Sequence, residues 1–529
     1  MLDRAFLAVA TVALLAGGGC AREGAAGAGA SVLLVTLDTV RADRLGCYGG
    51  SAATPALDRL AREGVRFAAA STPAPLTLPA HASLLSGLLP PAHGLRNNGA
   101  GAFPAGRPTL ATALAARGYR TAAFVGAFVL DRRFGLGRGF ELYDDEVDRG
   151  PASAPSLEAE RRGDVVVDRA LAWLAAEGDD RPFLLWVHLY DAHAPYAPPP
   201  PFRDRHAGDP YAGEVAFADA QVGRLLAALD RLGLAGDTVV AVAADHGEAL
   251  GEHGELTHGF FLYEPTLRVP LLLRAPGNFR GGTVVETPVG LADLAPTLSG
   301  LVGGGLAVEA PAGLAGRDLS AALLAGEEPE AADLYAETHY PEVFGWSRLA
   351  ALRRRETKYI AAPRPELYDL RRDPKEKTNL SGKQGGRGFA ERIAEIERQA
   401  IEPAVPERDA ESDARLASLG YAVAPRRTEN RAGARGADPK DRIALFRQYE
   451  RAHNDLRAGR LSEATASLTQ LFSADPANPI FTGELARAHR EAGDLRKAIP
   501  LYRRAVEAAP EDPNGWYNLA VTLQEAGEA

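Results

Sequence analysis

Residues 32 to 38 read Val-Leu-Leu-Val-Thr-Leu-Asp, a short branched apolar run that ends at a carboxylate. Runs of this kind are typical of strands buried on both faces of a parallel sheet. Further strand-like runs are Thr121–Val125, Phe183–Val187, Thr238–Ala243 and Val269–Leu273, and helical patterns between the runs include Pro55–Glu63, Thr109–Arg117, Val165–Ala176 and Val215–Leu232. The alternation predicts an α/β fold with a doubly wound, mostly parallel sheet.

Polar side chains collect just after these apolar runs. Asp38 follows the first run, and Asp245 and His246 follow the run that begins at Thr238. His188, Asp191 and His193 follow the Phe183 run. Ligands of such sheets bind beyond the carboxyl ends of the strands, so the sequence predicts a functional site at this edge.

A short helix is predicted over residues 77 to 87, which read TLPAHASLLSG. Pro79 lies near the first helical position and Gly87 just past the end, which places Thr77 near the N-cap. Unpaired backbone N–H groups at a helix start favour an anion. Thr77 is therefore the candidate nucleophile, although a lone capping threonine needs no such role.

Four segments together resemble the sulfatase branch of the alkaline phosphatase superfamily, and the resemblance covers roughly residues 31 to 385. They occur in the family's order: Val35–Asp43, Thr77 through His93 to Asn98, Asp245–Glu248 with Tyr263 and Glu264, and Glu366–Leu370 with Asp373, Pro374, Asn379 and Leu380. The resemblance implies a metal-dependent hydrolase or transferase acting on an esterified oxyanion.

The chain departs from that family at two positions. The sulfatases that the chain resembles carry Cys or Ser at the position of Thr77, and that Cys or Ser is oxidised to formylglycine. At the position of His81 they carry Arg. A sulfated formylglycine hydrate releases sulfate without attack at sulfur, and a threonine ether oxygen offers no such route. A phosphothreonine, by contrast, can be attacked at phosphorus by water or an alcohol. We therefore expect cleavage of phosphodiesters or phosphomonoesters through a phosphothreonine, with sulfuric ester hydrolysis as the alternative.

The resemblance assigns Asp38, Asp245 and His246 as ligands of one metal ion, with the Thr77 oxygen completing the sphere. Two carboxylates and an imidazole suit Zn²⁺ or Mn²⁺ better than Ca²⁺, whose usual ligands are all oxygen. A metal would also activate the Thr77 hydroxyl, which is otherwise a poor nucleophile.

A second polar cluster is predicted from Asp191, His193 and His258. Two imidazoles and a carboxylate suit a second metal ion. They equally suit direct contact with phosphate, in which His193 and His258 bind the substrate and protonate the leaving oxygen. Both roles remain open on the sequence alone.

Other candidate residues lie near these motifs. Asn98 is predicted to donate to the substrate oxyanion, with Arg96 assisting, although Asn97-Asn98-Gly99 also suits a simple turn. His81, His253 and Glu248 are candidates for supporting the ligands from behind, a position that ordinary loop polarity explains nearly as well.

The chain has 529 residues and a formal charge of -10, which argues against a nucleic-acid surface. Arg4 and an apolar run from Ala5 to Ala16 resemble a bacterial signal peptide, and Cys20 resembles a lipidation site. We expect a leader at residues 1–20, a spacer at 21–30 and a catalytic domain at 31–400. The protein would be exported, either periplasmic or membrane-anchored through Cys20.

The C-terminal part carries an internal repeat. Gly459, Gly493 and Gly527 are 34 residues apart, a period that resembles tetratricopeptide repeats. We expect a linker at 401–440 and an all-α repeat region at 441–529, whose last repeat is incomplete.

Stacked helix pairs build a groove for a protein or peptide partner. A third hypothesis is therefore an inactive core with a protein-binding role, which the joint presence of Asp38, Thr77, Asp245 and His246 argues against. The expected substrate is a small-molecule, lipid or glycan phosphate or sulfate ester.

Overall fold

The computed structural model describes residues 29–99, 101–147, 160–176, 178–277, 279–306, 308–382, 385–402, 415, 436–508, 510 and 513–528. The predicted leader with Cys20, most of the spacer and most of the predicted linker lie outside these residues. None of the described helices combines the length and apolar composition needed to cross a bilayer.

The strands and helices alternate along the first 300 residues. The strands are β1 (Ser31–Leu37), β2 (Val65–Phe67), β3 (Ala70–Ser71), β4 (Arg120–Val125), β5 (Leu142–Asp144), β6 (Phe183–Leu189), β7 (Thr238–Ala244), β8 (Arg268–Val269), β9 (Leu271–Arg274), β10 (Thr283–Val285), β11 (Val289–Gly290), β12 (Asp333–Thr338), β13 (Leu349–Arg354), β14 (Thr357–Ala361) and β15 (Glu366–Asp369). The helices are α1 (Pro55–Glu63), α2 (Thr77–Ser86), α3 (Pro90–His93), α4 (Leu110–Ala115), α5 (Gly163–Leu174), α6 (Phe202–Arg205), α7 (Pro210–Arg231), α8 (Glu264–Leu267), α9 (Leu294–Leu301), α10 (Ser320–Ala325), α11 (Tyr340–Val343), α12 (Arg387–Arg398), α13 (Ile443–Arg457), α14 (Leu461–Ala474), α15 (Pro479–Glu491), α16 (Leu495–Ala508) and α17 (Pro513–Ala526).

The central sheet has eight strands in the order β10-β2-β9-β7-β1-β6-β4-β5. Its pairs are parallel except at β9, which runs antiparallel to both β2 and β7. All residues of β1, β6 and β7 are buried, as expected of strands covered on both faces. The predicted doubly wound, mostly parallel fold is confirmed. The run at Val269–Leu273, however, is divided between β8 and β9, and both of these strands pair antiparallel with their neighbours.

Two groups of helices pack around this sheet. Helices α1 and α5 both contact α7, and α2, α4 and α9 form the other group. A four-stranded antiparallel sheet, β12-β13-β14-β15, follows, and α12 packs against its strands β13 and β14.

The register of the central sheet places two of the predicted site residues side by side. The carboxyl ends of β1 and β7 are neighbours, and the pairing of Leu37 with Ala244 brings Asp38 next to Asp245.

The C-terminal region consists of the antiparallel helix pairs α13–α14 and α15–α16 followed by α17. Gly459 and Gly493 adopt positive φ angles of 72° and 78° at the turns, a conformation that glycine tolerates without strain. The first helices of this region share one hydrophobic core with the α/β domain.

Candidate active site

The candidate site forms where β1, β7 and α2 meet. Asp38 directly follows β1, Asp245 and His246 directly follow β7, and Thr77 is the first residue of α2. All four side chains are fully buried. The Thr77 hydroxyl donates to Asp38 Oδ2 at 3.2 Å and lies 3.4 Å from His246 Nε2.

The donor atoms of Asp38, Asp245 and His246 converge on one point. They all lie within 4.8 Å of one another, the only such grouping of His, Cys, Asp and Glu among the described residues. Asp245 Oδ1 accepts from the backbone N–H groups of Thr39 and His246, but Asp245 Oδ2 and Asp38 Oδ1 are buried without a hydrogen-bond partner. Buried carboxylate oxygens of this kind need a cation or a proton, so the set fits a divalent metal.

The orientation of His246 also fits a metal ligand. Its Nδ1 lies 3.1 Å from the carbonyl oxygen of Gly247, which can only accept, so Nδ1 carries the proton. Burial holds the pKa of His246 well below its usual value, and the neutral ring therefore presents an unprotonated Nε2 to the carboxylates. Burial raises the pKa values of Asp38 and Asp245, and the neighbouring Asp38 charge raises that of Asp245 further.

The Thr36 hydroxyl lies at the centre of a hydrogen-bond network that orients two further histidine rings, those of His81 and His188. Thr36 Oγ1 lies within 3.1 Å of Trp186 Nε1, His81 Nε2 and His188 Nδ1. His81 Nδ1 donates to the Thr77 carbonyl at 2.8 Å, so its Nε2 accepts the single Thr36 hydroxyl proton. The Thr36 oxygen then accepts from Trp186 and from His188 Nδ1, and its hydrogen-bonding capacity is filled.

This network reveals a site residue that the sequence analysis gave no role. His188 lies within β6, and its protonated Nδ1 leaves a buried, unpartnered Nε2 located 3.5 Å from Asp38 Oδ2. His81, predicted only as a supporting residue, holds the carbonyl of the nucleophile. The feature that could have indicated a role for His188 and His81 is their position on a buried strand and a buried helix, where an unpaired imidazole costs free energy.

His193 and His258 lie beside His246. The His258 ring is 4.5 Å from the His246 ring and 5.1 Å from the His193 ring, measured between centroids. His258 Nδ1 lies 3.1 Å from Glu248 Oε1, and Glu248 Oε2 accepts from the Tyr196 hydroxyl. Burial raises the pKa of Glu248 to about 8 and lowers that of His258 to about 3.

Asp191, His193 and His258 do not form a group that could hold a metal ion among the described residues, so the structure gives no support to the predicted second metal set. Its Oδ1 accepts from the backbone N–H of Gly163 at 2.8 Å, at the start of α5. A carboxylate at a helix start satisfies an otherwise unpaired amide and interacts favourably with the helix dipole. Asp191 therefore supports α5, and the two histidines remain as candidates for direct substrate contact.

Asn98 is held next to the nucleophile. Its Oδ1 accepts from the backbone N–H of Leu78 at 2.9 Å, which orients the amide. Its Nδ2 is buried without a hydrogen-bond partner. This arrangement leaves an N–H donor beside Thr77, as an oxyanion-binding role requires.

Arg96, predicted to assist Asn98, is committed elsewhere. Its Nε and one terminal nitrogen donate to the two oxygens of Glu337, at 2.7 and 2.5 Å. Burial opposes ionisation of Glu337, but Arg96 outweighs it and holds the pKa of Glu337 at about 2. Arg96 is therefore a structural cation that ties the loop after α3 to β12.

His253, predicted as a supporting residue, stacks on Tyr263 with ring centroids 3.6 Å apart and makes no described contact with Asp38, Asp245 or His246.

We expect Arg96→Ala to lower the free energy of unfolding by about 3 kcal/mol, because it strands the buried Glu337 carboxylate. Urea denaturation measures this change. Arg387→Ala, which breaks an exposed pair with Glu391, is the control and should change stability little. If Arg96→Ala left the stability unaltered and raised KM, Arg96 would be a substrate-binding residue instead.

Comparison with known proteins decides the family. A model of the sulfatase family matches residues 30–304, more than half of the chain. The chain belongs to the sulfatase family. A model of the C-terminal part of N-sulphoglucosamine sulphohydrolase matches residues 251–401, and a tetratricopeptide repeat model matches residues 449–527. The resemblance drawn from the motifs is confirmed, and the chain is a sulfatase-superfamily hydrolase with C-terminal repeats.

The relatives of this sulfatase-family chain are distant. It is 29% identical to steryl-sulfatase of Mus musculus over 384 residues, covering 51% of this chain and 61% of that protein. It is 29% identical to arylsulfatase A of Homo sapiens over 436 residues, covering 66% of this chain and 83% of that protein. The solved phosphonate monoester hydrolase of Agrobacterium radiobacter shares the fold, with a TM-score of 0.57, 23% identity, and coverage of 70% of this chain and 96% of that one.

Proposed function

We propose that this protein is a metal-dependent hydrolase that cleaves phosphodiesters through transient phosphorylation of Thr77. One observation carries the proposal: the Thr77 hydroxyl lies 3.2 Å from Asp38 Oδ2 and 3.4 Å from His246 Nε2, beside the free Nδ2 of Asn98. A nucleophile, a carboxylate that takes its hydrogen bond and an oxyanion donor thus meet at one point.

The chemistry of threonine favours phosphorus over sulfur. The oxidation that converts Cys or Ser to formylglycine yields an aldehyde, whereas the extra methyl group on the Thr77 Cβ excludes an aldehyde there. A sulfated threonine would then have to be released by attack of water at sulfur. A phosphorylated threonine is released by in-line attack of water at phosphorus, which is ordinary phosphoryl chemistry.

The charge around the site favours a substrate with one negative charge. Arg41 pairs with Asp43 and Glu252, at 2.7 and 2.8 Å, and Arg96 pairs with Glu337. Neither guanidinium is available to neutralise a dianionic phosphomonoester. A phosphodiester, with a single charge near the metal, suits the site better than a monoester.

Asp38, Asp245, His246 and Thr77 would hold the metal, and two carboxylates with an imidazole suit Zn²⁺ or Mn²⁺. When bound, such an ion lowers the pKa of a coordinated hydroxyl and offsets charge on the phosphoryl oxygens.

The side chains of this site account for each bond and proton. Thr77 Oγ1 bonds to phosphorus while its proton passes toward Asp38 Oδ2, and the ester P–O bond breaks. Glu248, protonated at neutral pH because burial raises its pKa to about 8, donates to His258 Nδ1, which leaves the His258 proton on Nε2 for the leaving oxygen. Water then attacks phosphorus and passes a proton through His258 back to Glu248, while the bond from phosphorus to Thr77 Oγ1 breaks and Oγ1 takes its proton back from Asp38 Oδ2. Asn98 Nδ2 donates to the phosphoryl oxygen in both steps.

Sulfate-ester hydrolysis is the second candidate function. This candidate is supported by the similarity of the chain to proteins named as sulfatases, which include steryl-sulfatase and arylsulfatase A at 29% identity. Sulfate monoesters also carry one charge, so the charge argument does not separate the two candidates. The nature of the nucleophile does.

We expect metal-loaded protein to cleave bis-nitrophenyl phosphate with a kcat/KM that exceeds that for nitrophenyl sulfate by roughly tenfold or more, about 1.4 kcal/mol in transition-state binding. Nitrophenyl phosphate should rank below the diester because of its second charge. Parallel rate measurements on the three esters test this order. A preference for the sulfate would select the second candidate.

A further inference from the structure

The loop that carries His258 is in contact with the repeat region. We call residues 252–261 the His258 loop. Phe260, two residues after His258, is fully buried, and its ring packs on Phe446 of α13, the first repeat helix, with centroids 4.1 Å apart. Phe446 is 2% exposed. The repeat region therefore packs directly against the His258 loop.

A polar contact joins the same two segments. The Thr257 hydroxyl, adjacent to His258, donates to Glu450 Oε1 of α13 at 3.4 Å. Glu450 lies one helical turn beyond Phe446, so both residues project from one face of α13. Ile443, a turn earlier, faces Gly254 at the other end of the loop. Three successive turns of α13 thus line the His258 loop.

The loop has an irregular backbone that depends on its surroundings. His253, Gly254 and Gly259 have positive φ angles of 53°, 85° and 103°. Within the loop, Glu255 accepts from the Phe260 N–H at 2.7 Å. Segments of this kind keep one conformation only where neighbouring elements hold them.

The interface around Phe446 is built to be rigid. Phe344 and Trp346 of the α/β domain stack at 5.0 Å and pack on Phe481 of α15. Asn478 Nδ2 donates to the Phe344 carbonyl at 2.9 Å, and Trp346 Nε1 donates to Asp475 at 3.1 Å. The first two repeats are therefore docked on the α/β domain through a shared core.

We propose that Phe446 and Glu450 are positioning residues for catalysis, because they fix the His258 loop and with it the imidazole that lies 4.5 Å from His246. The repeat region is then a part of the active site as well as a surface for partners. This inference rests on the proposed role of His258, which acts on the substrate, whereas Phe446 and Glu450 act through it.

The test compares two equal losses of aromatic surface in one interface. Phe446→Leu loosens the contact with Phe260, and Phe481→Leu is the matched control, since Phe481 is also fully buried but packs on Phe344, Trp346 and Tyr449. We expect both variants of the full chain to lose similar thermal stability and to keep their metal. Only Phe446→Leu should lower kcat, by about tenfold, because small displacements of a catalytic group are costly.

Amide hydrogen exchange of the metal-loaded protein gives a readout that needs no turnover. In Phe446→Leu, exchange across residues 252–261 should quicken by about tenfold or more, and in Phe481→Leu it should stay near the wild-type rate. Glu450→Ala, a smaller change, should shift both readouts in the same direction as Phe446→Leu. Equal effects of Phe446→Leu and Phe481→Leu on exchange and kcat would overturn the inference. If no ester is turned over, the exchange measurement still decides it.

Discussion

A Thr77→Ala variant is expected to lose roughly 10³-fold or more of its kcat on every ester that the wild-type protein cleaves. The alanine removes the oxygen that lies 3.2 Å from Asp38 Oδ2. The neighbouring Thr39 hydroxyl is committed to the backbone carbonyls of Asp38 and Ala192 and does not replace it. Since Asp38, Asp245 and His246 remain, the variant should still bind one metal ion per chain. Steady-state rates and metal analysis of the purified protein measure both effects.

Thr77→Ser is the matched control for this variant. It keeps the hydroxyl and removes one methyl group, so the variant whose serine is shown by intact mass to be unoxidised should retain turnover within about tenfold of wild type. A Thr77→Ala protein that is folded, metal-loaded and fully active would show that water attacks the substrate directly, and the covalent route would be excluded.

Removal of the metal is the second change with a large expected effect. Chelation should abolish turnover, and it should also lower the free energy of unfolding by about 2.7 kcal/mol relative to protein held at 100 times its metal Kd. The physical reason is that Asp38 Oδ1 and Asp245 Oδ2 are buried and unpartnered, so folding without a cation leaves two close carboxylates uncompensated. Readdition of Zn²⁺ or Mn²⁺ should restore both quantities better than Ca²⁺.

Two variants make the metal experiment specific. Asp245→Asn should weaken metal binding and turnover together, because it replaces a ligand oxygen that has no other partner. Asp191→Asn is the control, since this half-buried carboxylate accepts from the Gly163 N–H and belongs to no candidate metal group among the described residues, so the metal content should be unchanged. Stability and turnover that survive chelation would contradict a metal-dependent site.

The resemblance to sulfatases assigned Asp38, Asp245 and His246 as metal ligands, and a general property of parallel sheets accounts for their proximity. Carboxyl ends of neighbouring strands meet at one edge, so Asp38 and Asp245 had to lie close once β1 and β7 were recognised. The helix signals at Pro79 and Gly87 likewise placed Thr77 correctly, since α2 begins at that residue. The position of the site needed only local patterns and one rule of topology, whereas the ligand assignment needed the family resemblance.

The structure differs from the sequence-based expectations at contacts that no local pattern reveals. Arg96 pairs with Glu337, which lies 241 residues further along the chain on β12. Asp191 has the spacing of a ligand to His193, but the start of α5 places a backbone N–H within its reach. His188 was visible as a polar residue near a strand end, yet its role depends on the Thr36 hydroxyl that it shares with His81.

The repeats illustrate the same limit at a larger scale. The 34-residue period was sufficient to predict helix pairs with glycine turns. It could not show that aromatic residues of these helices pack on the protein's own α/β domain, because a repeat pattern records contacts between neighbouring repeats only.

The covalent state of Thr77 during turnover tests the account most directly. Metal-loaded protein would be mixed with a phosphodiester that carries a labelled phosphoryl group and a good leaving group, quenched in acid, digested and analysed by mass spectrometry. We expect the label on the peptide that contains Thr77, at the hydroxyl, and its loss on further incubation with water before the quench. Rapid turnover with an unmodified Thr77 at every quench time, or a label on another residue, would contradict the central claim that this threonine is the nucleophile.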